Sequence, residues 1–159
     1  YYRGLGDIAL AEGRLDEARQ LFSESLKQAR DTYHFWSASL ALSGLGRAAL
    51  ASQQTPAARD YFLQALQQAG DIANQGLELV ALAGLAAVDD RQGQDAQAAA
   101  LALFVINHAA AWRETREWAA RTLEEAARSL EPNALEIARQ QAGSIGMLEW
   151  MARYLSNQA

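Results

Sequence analysis

One phrase occurs three times in this chain, forty positions apart, and it leaves few folds open. Gly4-Leu5-Gly6 precedes Ala18, Phe22, Ser25 and Leu26; Gly44-Leu45-Gly46 precedes Ala58, Phe62, Ala65 and Leu66. Gly84-Leu85-Ala86 precedes Ala98, Ala102, Val105 and Ile106. A fixed period without gaps marks a repeat architecture, in which each unit buries its apolar face against its neighbours. Within a unit the apolar residues recur at three and four positions, the period of a helix. The first stripe is Tyr2, Leu5, Ile8 and Ala9, and the turn Glu12-Gly13-Arg14 ends it with a left-handed glycine. The second stripe is Ala18, Leu21, Phe22, Ser25, Leu26 and Ala29, with Asp16 and Glu17 complementing the helix dipole in its first turn.

The middle unit predicts a first helix over about Thr32 to Ser52. Thr55 is read as the next N-cap and Pro56 as the first helical residue, where a missing N–H costs nothing. Asp31, Asp71 and Asp95 stand at other expected N-caps, and Gln53 replaces the turn glycine. The register fails from Ala111. A helix from about Arg113 to Leu130 follows, then a short one capped by Asn133 and interrupted by Gly143 and Gly146. The last helix presents Met147, Leu148, Trp150, Met151, Tyr154 and Leu155, with Glu149 and Arg153 paired on its wet side. Leu103 and Phe104 add a second apolar side to the preceding helix, so the later helices are expected to cover it. The division expected is three hairpins over residues 1–110 and a C-terminal helical cap of the same domain over 111–159.

Composition narrows the function. The chain has 159 residues, a formal net charge of −5, 11 glycines, 2 prolines and no cysteine. No disulfide or thiolate site can form, which is compatible with a reducing, cytoplasmic setting. An acidic chain lacks the basic stripe that phosphate backbones demand, so direct nucleic-acid binding is not expected. The longest apolar run, Leu101 to Ile106, is far short of the ~20 residues a membrane helix needs. No secretory leader is read at the start. The chain opens Tyr1-Tyr2 without an initiator methionine, compatible with a piece of something longer.

Four places invite a sharper chemistry. Gly4 to Ala9 and Gly44 to Ala49 fit a loose dinucleotide motif, but the lead-in is helical where that motif needs a strand. Close helix approach is the better reason for these glycines. His34 and His108 have no partner at metal-ligand spacing and read as polar helix-end residues. Asp89, Asp90 and Asp95 around Gly93 lack the order of a calcium loop and read as a solvated turn plus an N-cap. No nucleophile–base set and no phosphate loop can be assembled, so no enzyme and no cofactor are expected.

Leu5-Gly6, Gly13 and Ala18-x-x-x-Phe22, then Leu45-Gly46 and Ala58-x-x-x-Phe62-x-x-Ala65, resemble a tetratricopeptide repeat. The third unit departs, with Ala86 for glycine, Ala102 for the aromatic and Asp89 for a small residue; the period of 40 is also longer than about 34. Longer repeats of this kind, and the finish from Leu148 to Leu155, look like the C-terminal helical region of bacterial LuxR-type, maltose-activator-like regulators and related signalling ATPases. The resemblance implies an all-α, right-handed superhelix of hairpins whose first helices line a concave groove. It implies a protein-binding or self-associating scaffold within a multidomain regulator, or alternatively a small-molecule effector sensor with its ligand in the groove. By register the groove candidates are Arg3, Asp7, Ser43, Arg47, Ala83 and Ala87, with Asp90 and Arg91 at the rim. Tyr33, Phe35 and Trp36 either pack against the neighbouring unit or form a partner-binding patch. The short first helix would leave an apolar end through which the chain self-associates.

Overall fold

A computed structural model describes residues 1–156. Among them nine α-helices and no strand are found. The chain divides into two compact units, Tyr1–Ala81 and Leu82–Ala159, and the division falls within the fifth helix. The first unit holds α1 (Tyr2–Ala11), α2 (Leu15–Asp31), α3 (Phe35–Ala51), α4 (Thr55–Asp71) and the start of α5 (Gln75–Arg91). The second holds the rest of α5, then α6 (Asp95–Asn107), α7 (Arg113–Ala127), α8 (Pro132–Ser144) and α9 (Met147–Leu155).

A shorter period than the expected one governs the turns. Gly13, Tyr33, Gln53, Ala73 and Gly93 all take positive φ, from 49 to 74°. Each of these residues donates its N–H to the carbonyl three before it, and the next residue donates to the carbonyl five before it. Thus Gly13 bonds Leu10 and Arg14 bonds Ala9; Gln53 bonds Leu50 and Gln54 bonds Ala49. This is the Schellman closure, which satisfies the last carbonyls of one helix. The residue that closes one helix then opens the next, since Ala18 N–H bonds the Arg14 carbonyl and Ala58 N–H that of Gln54. Three residues therefore separate each of these helices from the next. Gln53 does not avoid the glycine conformation; it adopts it.

This closure corrects the expected caps. Asp31 and Asp71 end α2 and α4 instead of starting the next helix, and α3 begins at Phe35, not near Thr32. Thr55 and Asp95 lie one residue inside helices whose N-caps are Gln54 and Gln94. Asn133 lies within α8, behind the N-cap Glu131. Gly143 is likewise inside α8, while Gly146 is the N-cap of α9.

In the first unit α3 is the core element, buried on nearly every side from Ala38 to Leu50. Phe22 of α2 lies between α1 and α3. A Cβ on Gly6 would sit 2.7 Å from its ring, and one on Gly44 2.5 Å. Phe62 of α4 meets Gly46 in the same way, at 2.6 Å. Real Cβ atoms do not come that near, so glycine is required there. Gly4 has open space around its Cβ position and needs no such reason. Ser39 Oγ ties α3 to α4 by donating to the Ala65 carbonyl at 3.1 Å. The α1 stripe is narrower than expected: Gly6 and Ala9 are buried, whereas Leu5 and Ile8 are exposed.

The second unit is held differently. Phe104 of α6 is buried, its ring centroid 6.1 Å from that of Trp150 on α9. Leu103 beside it is only half-buried. Trp150 and Tyr154 face inward on α9, but Leu148, expected with them, is exposed. Glu149 and Arg153 pair at 2.9 Å. Arg116 of α7 donates to the His108 and Ala109 carbonyls at 2.8 and 3.2 Å, which fixes the link after α6.

Candidate functional site

The first-helix face of the first unit carries an ionic chain. Asp7 on α1 accepts from Arg3 one turn earlier at 3.1 Å and from Arg47 on α3 at 3.0 Å. Arg47 and Asp7 occupy the same register position 40 residues apart, so equivalent sites on neighbouring hairpins carry opposite charges. All three side chains remain substantially solvated, which limits what the pairing adds to stability to about 1 kcal/mol or less. Arg47 is thus already partnered within the chain, and the cluster keeps one net positive charge.

Ser43, a groove candidate by register, does not lie on the surface. Ser43 and Gly44 are buried, Gly44 against Phe22. Ser43 Oγ has no hydrogen-bond partner among the described residues. In the second unit Ala83 is fully buried and Ala87 half-buried, while Asp90 is half-buried and Arg91 exposed. Burial holds the Asp90 carboxyl above its ordinary range; Asp95 and Glu125 push it further up, and Arg91 opposes them. Of the groove candidates the structure therefore brings Arg3, Asp7 and Arg47 together and removes Ser43 and Ala83 from the surface.

Tyr33, Phe35 and Trp36 are exposed at the α2–α3 turn, by 80%, 50% and 41%. Tyr33 occupies the left-handed backbone position that the turn requires. Below the turn a cavity of about 430 Å³ is lined by Tyr1, Tyr2, Gln28, His34 and Ser37 among others. His34 is the N-cap residue of α3, its Nδ1 2.8 Å from Ser37 Oγ, and His108 is the C-cap of α6, its Nδ1 accepting the Ala110 N–H. Both are helix-end residues.

Asp89 is the polar group that the sequence pattern misplaces. It is fully buried, not a solvated turn residue. The Tyr154 hydroxyl on α9 donates to its carboxylate, and Gln97 Nε2 on α6 lies 3.1 Å from both. The clue lies in register: Asp89 takes the place of the buried Ala49 on the core side of its helix. Its role is to fasten three helices. Among the described residues no cluster of side chains could hold a metal ion, and no helix is long and apolar enough to cross a membrane.

An all-helical series of hairpins with glycine-seated aromatic rings defines a repeat scaffold. A family model of the tetratricopeptide repeat matches residues 1–71, which is α1 through α4, and supports a tetratricopeptide-like domain there. No curated protein and no solved structure matches the chain. Tetratricopeptide repeats generally mediate protein–protein interaction, which supports a scaffold role.

Proposed function

We propose that this chain is a protein-docking scaffold within a multidomain, cytoplasmic transcriptional or signalling regulator. Residues 1–110 act as three docking hairpins and residues 111–159 as the closing cap. The observation that carries this reading is the exposure of Phe35 and Trp36 in the first turn of α3. Large aromatics bury much apolar area when covered, and tryptophan and tyrosine are enriched among the anchors of protein interfaces. The Arg3–Asp7–Arg47 chain offers the accompanying polar contacts; Arg47 would trade Asp7 for an acidic residue of the partner. The burial of Phe104 against Trp150 supports the capping role of the last helices. Self-association through the exposed α1 residues Leu5 and Ile8 is part of the same proposal.

The test is affinity capture from the native cell with wild type, Trp36→Ala and Arg47→Glu, alongside melting curves. A partner lost in the Trp36 variant at unchanged melting temperature is expected. An identical set of captured proteins in all three would refute the site. Light scattering of wild type beside Leu5→Glu/Ile8→Glu tests the self-association; a monomer in both removes it.

A further inference from the structure

A second cavity, of about 380 Å³, lies between α2 and α4 with α3 beneath it. Its apolar lining is Leu26, Leu42 and Leu45, all of them largely buried residues of the core. Lys27 and Arg30 stand one turn apart on the α2 wall, and Tyr61 and Gln64 one turn apart on the α4 wall. Positions three apart on a helix share a face, so each wall presents two polar groups together. We propose that this cavity binds a carboxylate attached to an apolar body, the carboxylate on Lys27 and Arg30 and the body on the leucine floor.

Most arginines of this chain are already spent on carboxylates. Arg3, Arg14, Arg19, Arg47, Arg113, Arg128, Arg139 and Arg153 are all in ion pairs. Among the described residues Lys27 and Arg30 have no such pair, although the chain is acidic and Asp31 is the next residue. Two unpaired cations thus share one opening above an apolar floor. Ligand sites of this size combine apolar surface with convergent polar groups; here three leucines lie beside Ser23, Lys27, Arg30, Asp31, Tyr61 and Gln64. Asp31 also lines it and sets a polarity: a carboxylate is repelled from that end and drawn to Lys27. Tyr61 and Gln64 supply donors from the opposite wall. The site goes beyond the docking surface proposed above, because neither Trp36 nor Arg47 lines it.

The chain contains a single lysine, which makes the test direct. Reductive ¹³C-methylation places one side-chain reporter at Lys27, and the labelled N-terminal amine is resolved from it. The intact protein is titrated with phenylbutyrate and with octanoate, each beside its neutral amide. A second arm uses a terminally blocked peptide with Leu next to Glu, beside its Gln counterpart. A saturable Lys27 shift with the carboxylates and not the amides is expected, weakened about threefold by Arg30→Gln and strengthened by Asp31→Asn. Response to the free acids alone identifies a small-molecule site, and response to the peptide identifies a side-chain pocket. Trp36→Ala leaves either response intact, so failure of the docking surface does not mimic failure here. No shift in either arm at about 10 mM probe, or equal shifts from acid and amide, overturns the proposal.

Discussion

The first unit and the second solve one packing problem by different means. In the first, a ring is seated on glycine at each step: Phe22 on Gly6 and Gly44, Phe62 on Gly46. The contact is steric and recurs with the period. In the second, the corresponding ring position is Ala102, and the helices are joined by Phe104 against Trp150 and by a buried carboxylate, Asp89, between Gln97 and Tyr154. The glycine-seated ring is one shape used twice at the period of the repeat, whereas each contact of the second unit occurs once. One of those contacts is aromatic and the other polar, and each depends on its particular partners.

The largest effect that would break this contrast is expected at Phe22. Phe22→Ala empties a fully buried ring site and should cost ~3–5 kcal/mol in chemical denaturation. A loss under ~1 kcal/mol would mean the ring is not what spaces α1 and α3. Next comes Tyr154→Phe, which removes a donor from a buried carboxylate and should cost about 1–3 kcal/mol. Hydrogen exchange should then quicken in α9 and α6 with α1 to α4 unaffected; uniform quickening would erase the distinction between the units.

Smaller effects sharpen it. Gln53→Gly and Ala73→Gly relieve a left-handed residue at a turn and should each raise stability by about 1 kcal/mol, while Gly93→Ala should lower it by a similar amount. Opposite signs would show that the turns are not strained. The subtlest concerns Glu78, buried in the first unit, where desolvation holds the carboxyl above its ordinary range. Ionising it is harder in the folded state than in the unfolded one. Stability from this group is therefore present below the ordinary glutamate pKa and is lost as pH rises through the raised folded value. Glu78→Gln should flatten that pH dependence and stabilise the protein at neutral pH. An unchanged slope in urea midpoints against pH would exclude Glu78 as the cause.

Hairpins are legible in the sequence because glycine, alanine and phenylalanine recur at positions where only certain sizes fit. The caps are not. Side-chain N-cap rules point to Asp31, Thr55 and Asp95, but backbone closure at Tyr33, Gln53 and Gly93 shifts every boundary. A left-handed tyrosine or glutamine has no signature apart from its place in the register of the turns. The ionic chain at Asp7 is half legible: register places Asp7 and Arg47 on equivalent positions, but not in contact. Ser43 and Ala83 look like surface from sequence because a small residue on a groove register is also what close helix packing requires. The cavity beside Lys27 gives no signal, since Lys27, Arg30, Tyr61 and Gln64 are not among the residues that recur between α2 and α4.

The central claim is that a ring seated on glycine sets the step of the repeat. It is tested most directly by a double-mutant cycle of Gly44→Ala and Phe22→Leu. Alanine is the better helix former by ~1 kcal/mol, so any net loss from Gly44→Ala must come from the collision with Phe22. A loss of about 1–3 kcal/mol is predicted for that change alone. The smaller, flexible leucine at position 22 should then tolerate the added methyl at position 44, giving a coupling of at least ~1 kcal/mol. Additivity within ~0.5 kcal/mol would contradict the claim.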